Sequence, residues 1–197
     1  MSDTDENEWF VLVHLNHKIK PLDRGDRYED PLDDALQDAG FGELNGGGTA
    51  ISDTGEITSS DIELTLYDLQ NGIPFVIALL TELGAPKGSK LVVMNDENEP
   101  QQEIPVGTVE GVALRIKSDW LDESSPHAEE FNTLLDELMT QYTDDFELQG
   151  SWQGDDFSEL YFYGASAATI TNTIESSLKN YSFGSQCELR MITPVNA

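Results

Sequence analysis

The sequence has little positive charge. It contains 10 lysines and arginines against 38 aspartates and glutamates in 197 residues, so its formal charge is −28 at pH 7. Nucleic acids and anionic lipids are bound through clustered Lys and Arg, and direct binding to either is therefore not expected. A partner with a basic surface is compatible with this charge, because opposite potentials attract.

Cysteine is nearly absent, and long apolar runs are missing. The single cysteine, Cys187, cannot form an intrachain disulfide or a zinc site by itself, and we predict a small core residue. The longest apolar stretch, Ile73–Leu80, is far shorter than the roughly 20 residues that cross a bilayer. The first residues, MSDTDENEWF, do not resemble a secretory signal. These features predict a soluble, cytoplasmic protein that does not act at a membrane.

Familiar catalytic motifs are also missing from the sequence. It contains no GxSxG, HExxH, Walker or CxxC pattern. With 38 acidic residues, close carboxylate pairs arise by chance and do not identify a general acid or base. We therefore predict no catalytic residue, no metal site and no cofactor, and an enzyme is less expected than a binding protein.

The sequence does contain an internal repeat: the same order of predicted strands and helices occurs twice. On each side of the polar segment 95–107, hydrophobic periodicity predicts strand, helix, two strands, helix and strand. In the first half, Asp30 is the predicted cap of a helix that starts at Pro31 and ends at Gly40. In the second half, Ser125 and Pro126 are predicted to open the corresponding helix.

This order of elements is the split βαβ order, which closes as a four-stranded antiparallel sheet with both helices on one face. The predicted fold class is therefore α+β, with two tandem βαββαβ repeats like those of ferredoxin. The predicted domains are residues 1–97 and 108–197, joined by a linker at 98–107. A single merged domain is the alternative.

Histidines and arginines in the first half are candidate site residues. His14 and His17 resemble a metal pair, but residues three apart on a strand point to opposite faces, so a metal site is disfavoured. The segment 14–27 holds four of the ten basic residues, and neutralisation of neighbouring acids is favoured over an anion site. Arg27 is the candidate ligand-binding residue there, since its guanidinium can hold a carboxylate with two hydrogen bonds.

Aromatic residues in the second half are candidate binding anchors. Large aromatic side chains on the open face of a small sheet commonly anchor partners. Tyr161 and Tyr163 alternate with Phe162, so one of the two sets faces the helices and is core. The predicted ligand or partner site comprises Arg27, Arg115, Trp120, Trp152, Tyr161 and Tyr163.

One stretch of the first half resembles a known pattern. The segments RYEDPLDDALQDAGFGELNGGGT, DIELTLYD and LGAPKGSKL are similar to those of small acidic uncharacterised bacterial proteins. The resemblance implies no activity and transfers no functional residue. The likeness of the predicted fold to tandem ferredoxin-like repeats does not select a function either.

Three functions are compatible with these observations. The leading hypothesis is a non-catalytic acidic protein that recognises a basic protein, as an inhibitor, an immunity-type factor or a polyanion mimic. The second is that the acidity reflects a saline habitat. The third is a small-molecule or enzymatic site between the two repeats, with Arg27 and Arg115 as candidates. The oligomeric state is left open.

Overall fold

A computed structural model describes residues 8–95, 97–122, 124–141 and 145–194. The chain divides into two compact units. Unit 1 comprises the described residues up to Ala50 together with Thr58–Thr108, and unit 2 comprises Ile51–Ile57 and the described residues from Val109 onward. The division differs from the predicted one, because the turn 51–57 of the first half is part of unit 2.

The first half of the chain forms a five-stranded sheet and three helices. The strand order is β2-β3-β1-β4-β5; β1 pairs antiparallel with β3 and with β4, and β4 pairs antiparallel with β5. Its elements are β1 (Trp9–Leu15), α1 (Pro21–Arg24), a π-helical turn (Gly25–Glu29), α2 (Asp30–Ala39), β2 (Gly42–Ile51), β3 (Ile57–Leu66), α3 (Leu69–Glu82), β4 (Ser89–Met94) and β5 (Pro100–Val106).

The second half forms a four-stranded antiparallel sheet and two helices. The strand order is β7-β8-β6-β9. Its elements are β6 (Glu110–Lys117), a 3-10 turn (Ser118–Leu121), α4 (Ala128–Gln141), β7 (Phe146–Gln153), β8 (Phe157–Gly164), α5 (Ala167–Leu178), a 3-10 turn (Gly184–Gln186) and β9 (Glu188–Met191). Two antiparallel sheets, each with helices, confirm the predicted α+β class with ferredoxin-like order.

Each unit has its own apolar core, built by strand alternation. In β1, Val11, Val13 and Leu15 are fully buried while the residues between them are half-buried. They pack with the buried faces of β3, β4, α2 and α3. In unit 2, Val112, Leu114 and other buried residues of β6 and β8 pack in the same way against α4 and α5. Burial of alternate residues fixes which face of each sheet meets its helices.

The structure differs from the sequence prediction at the segment 98–107. This segment was expected to be a linker, but its residues 100–106 form β5, the edge strand beside β4. The two prolines and the polar residues of this segment are typical of a loop, so the sequence pattern does not predict a strand there. An edge strand tolerates proline because one side of its backbone needs no partner, and Val106 is nevertheless buried in the core of unit 1.

Two helix starts also differ from the prediction. The first helical run begins at Pro21, not at Pro31, so Asp30 lies within continuous helical backbone and does not cap it. The predicted stop is confirmed: Gly40 has a φ of 68°, and the Phe41 amide donates to the Leu36 carbonyl over 3.0 Å. In the second half, α4 begins at Ala128, after Ser125 and Pro126.

Within the described ranges, no helix is long and apolar enough to span a bilayer. The cytoplasmic location stays a prediction. Cys187 is half-buried against the core of unit 2, close to the position expected for it.

Candidate ligand-binding cavities

Unit 1 contains a cavity of about 670 Å³ beside the start of α3. Trp9 at the start of β1 and Tyr67 at the end of β3 stand close together, because Trp9 pairs with Leu66 in the antiparallel ladder. Leu69 and Ile73 of α3 and Ile104 of β5 are the half-buried aliphatic residues of the wall. The full lining is Trp9, Tyr67, Asp68, Leu69, Gln70, Ile73, Pro74, Gln102 and Ile104. We call this the unit 1 cavity.

Strand β5 supplies one side of the unit 1 cavity. Gln102 pairs with Val93 and Ile104 pairs with Leu91, and both partners lie on the helix-facing side of β4. Because directly opposite residues of an antiparallel pair share a face, Gln102 and Ile104 also face α3. The segment expected to be a linker thus builds part of the candidate site.

The charge at the rim of the unit 1 cavity is negative. Asp68 caps α3: one carboxylate oxygen accepts the Asn71 backbone amide over 3.1 Å, and the other accepts the Asn71 side-chain amide over 2.6 Å. The hydrogen bonds from Asn71 hold the pKa of Asp68 below its usual range. Its carboxylate occupies the positive end of the helix, where an anionic ligand would otherwise be favoured.

Two side-chain amides give the unit 1 cavity neutral polar groups. Gln70 and Gln102 are exposed, and their side chains form no hydrogen bond with other described residues. Each amide carries two donor hydrogens and an acceptor oxygen. Together with Trp9 and Tyr67 they provide flat apolar contact and hydrogen bonding without a positive charge.

Unit 2 contains a second cavity, of about 510 Å³, along α5 and the edge strand β9. Leu178, Cys187 and Leu189 are its apolar members, and burial raises the pKa of the Cys187 thiol to about 11. The remaining lining is largely hydroxylated or charged: Thr171, Glu175, Lys179, Tyr181, Ser182, Gly184 and Ser185. We call this the unit 2 cavity.

Hydrogen bonds to α4 fix one wall of the unit 2 cavity. Tyr181 Oη donates to Glu137 Oε2 over 3.0 Å, and Ser182 Oγ donates to Glu130 Oε2 over 2.7 Å. Desolvation, with a smaller contribution from Glu137, raises the pKa of Tyr181 above its usual value. The segment that follows α5 is therefore held against α4.

The basic segment 14–27 forms intramolecular contacts. Arg24 is 5% exposed, and its Nε donates to Glu29 Oε1 over 2.5 Å. Its Nη1 donates to the Gly48 carbonyl and to Thr49 Oγ1, each over 2.6 Å. A Cβ at Gly47 would lie 2.8 Å from the Asp61 carbonyl oxygen, so the glycine permits this close approach. The structure supports the neutralisation interpretation for Arg24.

Arg27 and the two histidines of this segment lie apart from both cavities. Arg27 Nε donates to the Leu83 carbonyl over 3.2 Å. His14 Nδ1 lies 2.7 Å from Asp61 Oδ1 in the neighbouring strand, whereas His17 is buried with its Nδ1 3.0 Å from Tyr28 Oη. Among the described residues, no cluster of three or more potential metal ligands is found.

The predicted site residues of unit 2 do not form one site. Trp120 is 2% exposed in the helix-covered core, beside Phe183. Tyr161 and Tyr163 are each 1% exposed on the other face of the sheet, in a small cluster with Trp152. Neither cavity is lined by any of these residues.

Residues of the β2–β3 turn contact this second face. The Trp152 indole donates to the Thr54 carbonyl over 3.1 Å, and Tyr161 Oη donates to Glu56 Oε1 over 3.3 Å. Desolvation, followed by the charges of Glu56 and Glu159, raises the pKa of Tyr161. These aromatic residues are thus engaged within unit 2.

Arg115 lies on the same face in a different environment. Its guanidinium carbon is 4.2 Å from the centre of the Phe157 ring, and its Nε is buried without a hydrogen-bond partner. Its cross-strand neighbour Glu159 instead accepts a hydrogen bond from Arg190 over 2.7 Å. As a site residue, Arg115 stays a prediction.

Sequence reasoning did not find the residues of the unit 1 cavity. Trp9 and Tyr67 are close only because β1 pairs antiparallel with β3. A register drawn from the buried alternation of both strands would have brought them together. Gln102 and Ile104 lie on β5, in the segment that the sequence predicts to be a linker.

Comparison with known proteins finds matches among solved structures alone: no protein-family model and no curated protein matches the chain. A "putative monooxygenase" from Lactobacillus acidophilus is 11% identical, covers 94% of this chain and 93% of its own, and has a TM-score of 0.30. A heme-binding protein from Thermus thermophilus is 13% identical, with coverages of 93% and 90% and a TM-score of 0.26. A "putative monooxygenase" from Fusobacterium nucleatum is 13% identical, with coverages of 95% and 92% and a TM-score of 0.28.

These matches correct the leading functional prediction. A non-catalytic acidic protein that recognises a basic partner was expected, and none of the three similar structures is described in that way. That prediction is wrong. Similarity at this level transfers no activity, ligand or residue to this chain, so the site is argued from its own geometry.

Proposed function

We propose that the protein binds a small organic molecule in the unit 1 cavity, and that the ligand has a flat apolar body and carries no negative charge. One observation supports this most: Trp9 and Tyr67 line a cavity of about 670 Å³ together with the side-chain amides of Gln70 and Gln102, which form no hydrogen bond with other described residues. Ligand sites in proteins typically have a volume of this order, an apolar or aromatic lining and a few polar groups that orient the ligand.

The aromatic side chains determine the shape of the ligand. Trp and Tyr offer large, rigid surfaces that favour stacked or edge-on contact with another ring. Ile73 and Ile104 extend the apolar wall on the side of α3 and β5. A planar ring system would bury more apolar surface there than a compact polar molecule, and burial of apolar surface drives such binding.

The electrostatics determine the charge of the ligand. Asp68 lies at the rim with its pKa held below the usual range, and none of the described residues of the lining is Lys, Arg or His. The chain as a whole carries a formal charge of −28. An anion entering the unit 1 cavity would be repelled without a compensating cation, whereas Gln70 and Gln102 can hydrogen-bond a neutral carbonyl, amide or hydroxyl group.

This proposal differs from the earlier alternative in its location. That alternative placed a small-molecule or enzymatic site between the two repeats, with Arg27 and Arg115 as candidates. The cavity argued here lies within unit 1, and its lining includes neither arginine.

The test uses two fluorescent probes of similar size on the full chain. 1-N-phenylnaphthylamine is flat and neutral, whereas 8-anilinonaphthalene-1-sulfonate is anionic. We expect the neutral probe to show saturable enhancement with one site per chain, and the anionic probe to bind at least tenfold more weakly.

Three substitutions test whether the neutral probe binds in the unit 1 cavity. Tyr67→Ala removes an aromatic wall, and Gln102→Lys introduces a charge at an exposed strand position where folding is not at risk. Both should weaken the neutral probe about tenfold. Leu22→Ala removes an aliphatic side chain that is 84% exposed and lies outside the unit 1 cavity, so it should leave binding unchanged. Equal effects of all three substitutions, or enhancement that does not saturate, would contradict the proposal.

A further inference from the structure

Acidic residues gather at one end of the unit 1 sheet. Because β1 pairs antiparallel with β3 and β4, and β4 with β5, strands β1 and β5 begin at the end where β3 and β4 finish. The unit 1 cavity lies there, and we call this the cavity end of the sheet. The acidic residues in its turns and strand ends include Glu8, Asp68, Glu97 and Glu99.

The lysines and arginines of unit 1 lie away from the cavity end. They are Lys18, Lys20, Arg24, Arg27, Lys87 and Lys90. The four lysines flank the end of β1 and the start of β4, which meet at the opposite end of the sheet. Arg27 donates to the Leu83 carbonyl, at the end of α3 remote from the cavity, and Arg24 binds Glu29 and β2. The cavity end thus holds carboxylates without any of these six cations.

Asp68 brings one of these negative charges into the lining of the unit 1 cavity. Its carboxylate accepts hydrogen bonds from the side chain and from the backbone amide of Asn71. Both donors are neutral, so they favour the ionised carboxylate without cancelling its charge. The start of α3 contributes only about half a positive charge, and the local charge therefore stays negative. A positively charged ligand would be attracted here more strongly than a neutral one.

The two aromatic side chains of the unit 1 cavity favour the same ligand charge. The face of an aromatic ring is electrostatically negative and attracts a cation within about 6 Å of its centre, most strongly for Trp and then for Tyr. Trp9 is half-buried and Tyr67 is 44% exposed, so part of each side chain is accessible to a ligand. The carbonyl oxygens of Gln70 and Gln102 can also turn towards a positive charge.

The shape and lining of the unit 1 cavity select among cations. A metal ion would find one carboxylate there, and the described part of the chain holds no cluster of three or more potential metal ligands. A compact ammonium ion would leave the aliphatic wall of Ile73 and Ile104 uncovered. A flat ring system that itself carries the charge contacts the aliphatic wall, the aromatic side chains and Asp68 at once, and so uses the whole lining.

We propose that the ligand of the unit 1 cavity is a flat organic cation whose positive charge lies in an aromatic ring, as in an N-alkylated nitrogen heterocycle. The charged ring stacks on Trp9 or Tyr67 beside the Asp68 carboxylate, and its carbon skeleton contacts Ile73 and Ile104. This inference rests on the proposed function, because it identifies the ligand class of the same site.

The test is a competition on the full chain at pH 8 and about 0.15 M salt, where attraction by distant charges is screened. The reporter is 1-N-phenylnaphthylamine. Two competitors share a ring system and one methyl group but differ in charge: 1-methylquinolinium is a cation, and 4-methylquinoline is uncharged at this pH. The cation should displace the reporter at about tenfold lower concentration than the neutral competitor. We call the ratio of these two concentrations the cation preference.

Matched substitutions assign the cation preference to particular side chains. Asp68→Asn should lower it to about twofold or less, and asparagine is also a good helix cap, so α3 should be retained. Glu82→Gln removes the same charge at an exposed position at the other end of α3 and should leave the preference unchanged. Tyr67→Leu removes the ring and should lower the preference severalfold, whereas Tyr67→Phe should retain most of it.

The outcomes separate this inference from the proposed function. If the reporter binds saturably and both competitors displace it equally, the cation inference is overturned and the small-molecule site stands. If the reporter does not saturate one site per chain, the proposed function fails, and this inference fails with it. Equal losses of cation preference in Asp68→Asn and Glu82→Gln would indicate attraction by the overall charge of −28 and would also overturn the inference.

Discussion

Units 1 and 2 share an order of elements but differ at the last strand. In unit 1, β4 is an inner strand because β5 continues the sheet, whereas in unit 2 the strand β9 is the edge. The difference lies in the chain that follows: residues 100–106 return beside β4, while few described residues remain after β9. The cavities of the two units also differ in position. The unit 1 cavity lies at the start of α3 and uses β5 as a wall, whereas the unit 2 cavity lies along α5 and β9.

The two sheets also use their buried charges differently. In unit 1, Arg24 is nearly fully buried and joins the π-helical turn to β2 through Glu29, Gly48 and Thr49. In unit 2, the acid Glu159 is the buried member of its pair and Arg190 is exposed. A buried arginine holds neighbouring segments in place, whereas an exposed one is accessible to a further partner.

The largest expected effect comes from disrupting β5. Val106→Asp places a carboxylate in the core of unit 1 and should cost about 3–5 kcal/mol of its folding free energy, because a buried charge without a partner is strongly unfavourable. Hydrogen exchange read separately on β1 and β6 should show lost protection in β1 alone.

Gln101→Asp is the matched control for this substitution. It introduces the same side chain on the same strand at an exposed position, and it should change stability by less than about 0.5 kcal/mol. If Val106→Asp were equally mild, β5 would not be part of the unit 1 core.

An intermediate effect is expected for the buried arginine. Arg24→Gln removes charge-assisted hydrogen bonds to Glu29 and to β2, and should cost about 2–3 kcal/mol in chemical denaturation. Lys90→Gln breaks the exposed pair with Glu103, whose two side chains are 37% and 54% exposed, and should cost less than about 1 kcal/mol. A reversed order of these two losses would contradict the structural role of Arg24.

The smallest effect is expected in an experiment without any substitution, which measures the rate of alkylation of the Cys187 thiol. Burial raises its pKa to about 11, so the reactive thiolate at neutral pH should be about 100-fold scarcer than for a free cysteine. Alkylation by iodoacetamide, followed by mass spectrometry, should therefore be slow at pH 7.5 and accelerate about tenfold per pH unit up to about pH 10. A rate at pH 7.5 equal to that of the unfolded chain would show that the unit 2 cavity does not shelter the thiol.

Local patterns predicted most of the fold, and non-local pairing accounts for most of what was missed. Alternation in β1 and β6, and the glycine after α2, identified elements that the structure confirms. The strand β5 escaped prediction because its prolines and polar residues are typical of a loop, and only its neighbour β4 and the core behind Val106 stabilise it as a strand. Asp30 was a plausible cap, but helical backbone from Pro21 onward made it an interior residue.

The candidate site could be predicted less well than the fold. The sequence identified aromatic residues as anchors but could not show that Trp120, Tyr161 and Tyr163 are each at most 2% exposed. Trp9 and Tyr67, which line the unit 1 cavity, are adjacent only through the pairing of two strands about fifty residues apart. Composition suggested a charged surface as the functional feature, and the cavities are instead lined by aromatic, aliphatic and neutral polar side chains with a few charges.

Hydrogen exchange at single-residue resolution on β4 and β9 tests the central difference between the units most directly. In β4, amides should be protected at Leu91, Val92 and Val93 in succession, because alternate residues bond to β1 and to β5. In β9, protection should alternate across Leu189, Arg190 and Met191, because one edge of the strand is free of described neighbours. Continuous protection along β9 in the isolated chain would contradict the account, since the edge would then already be covered.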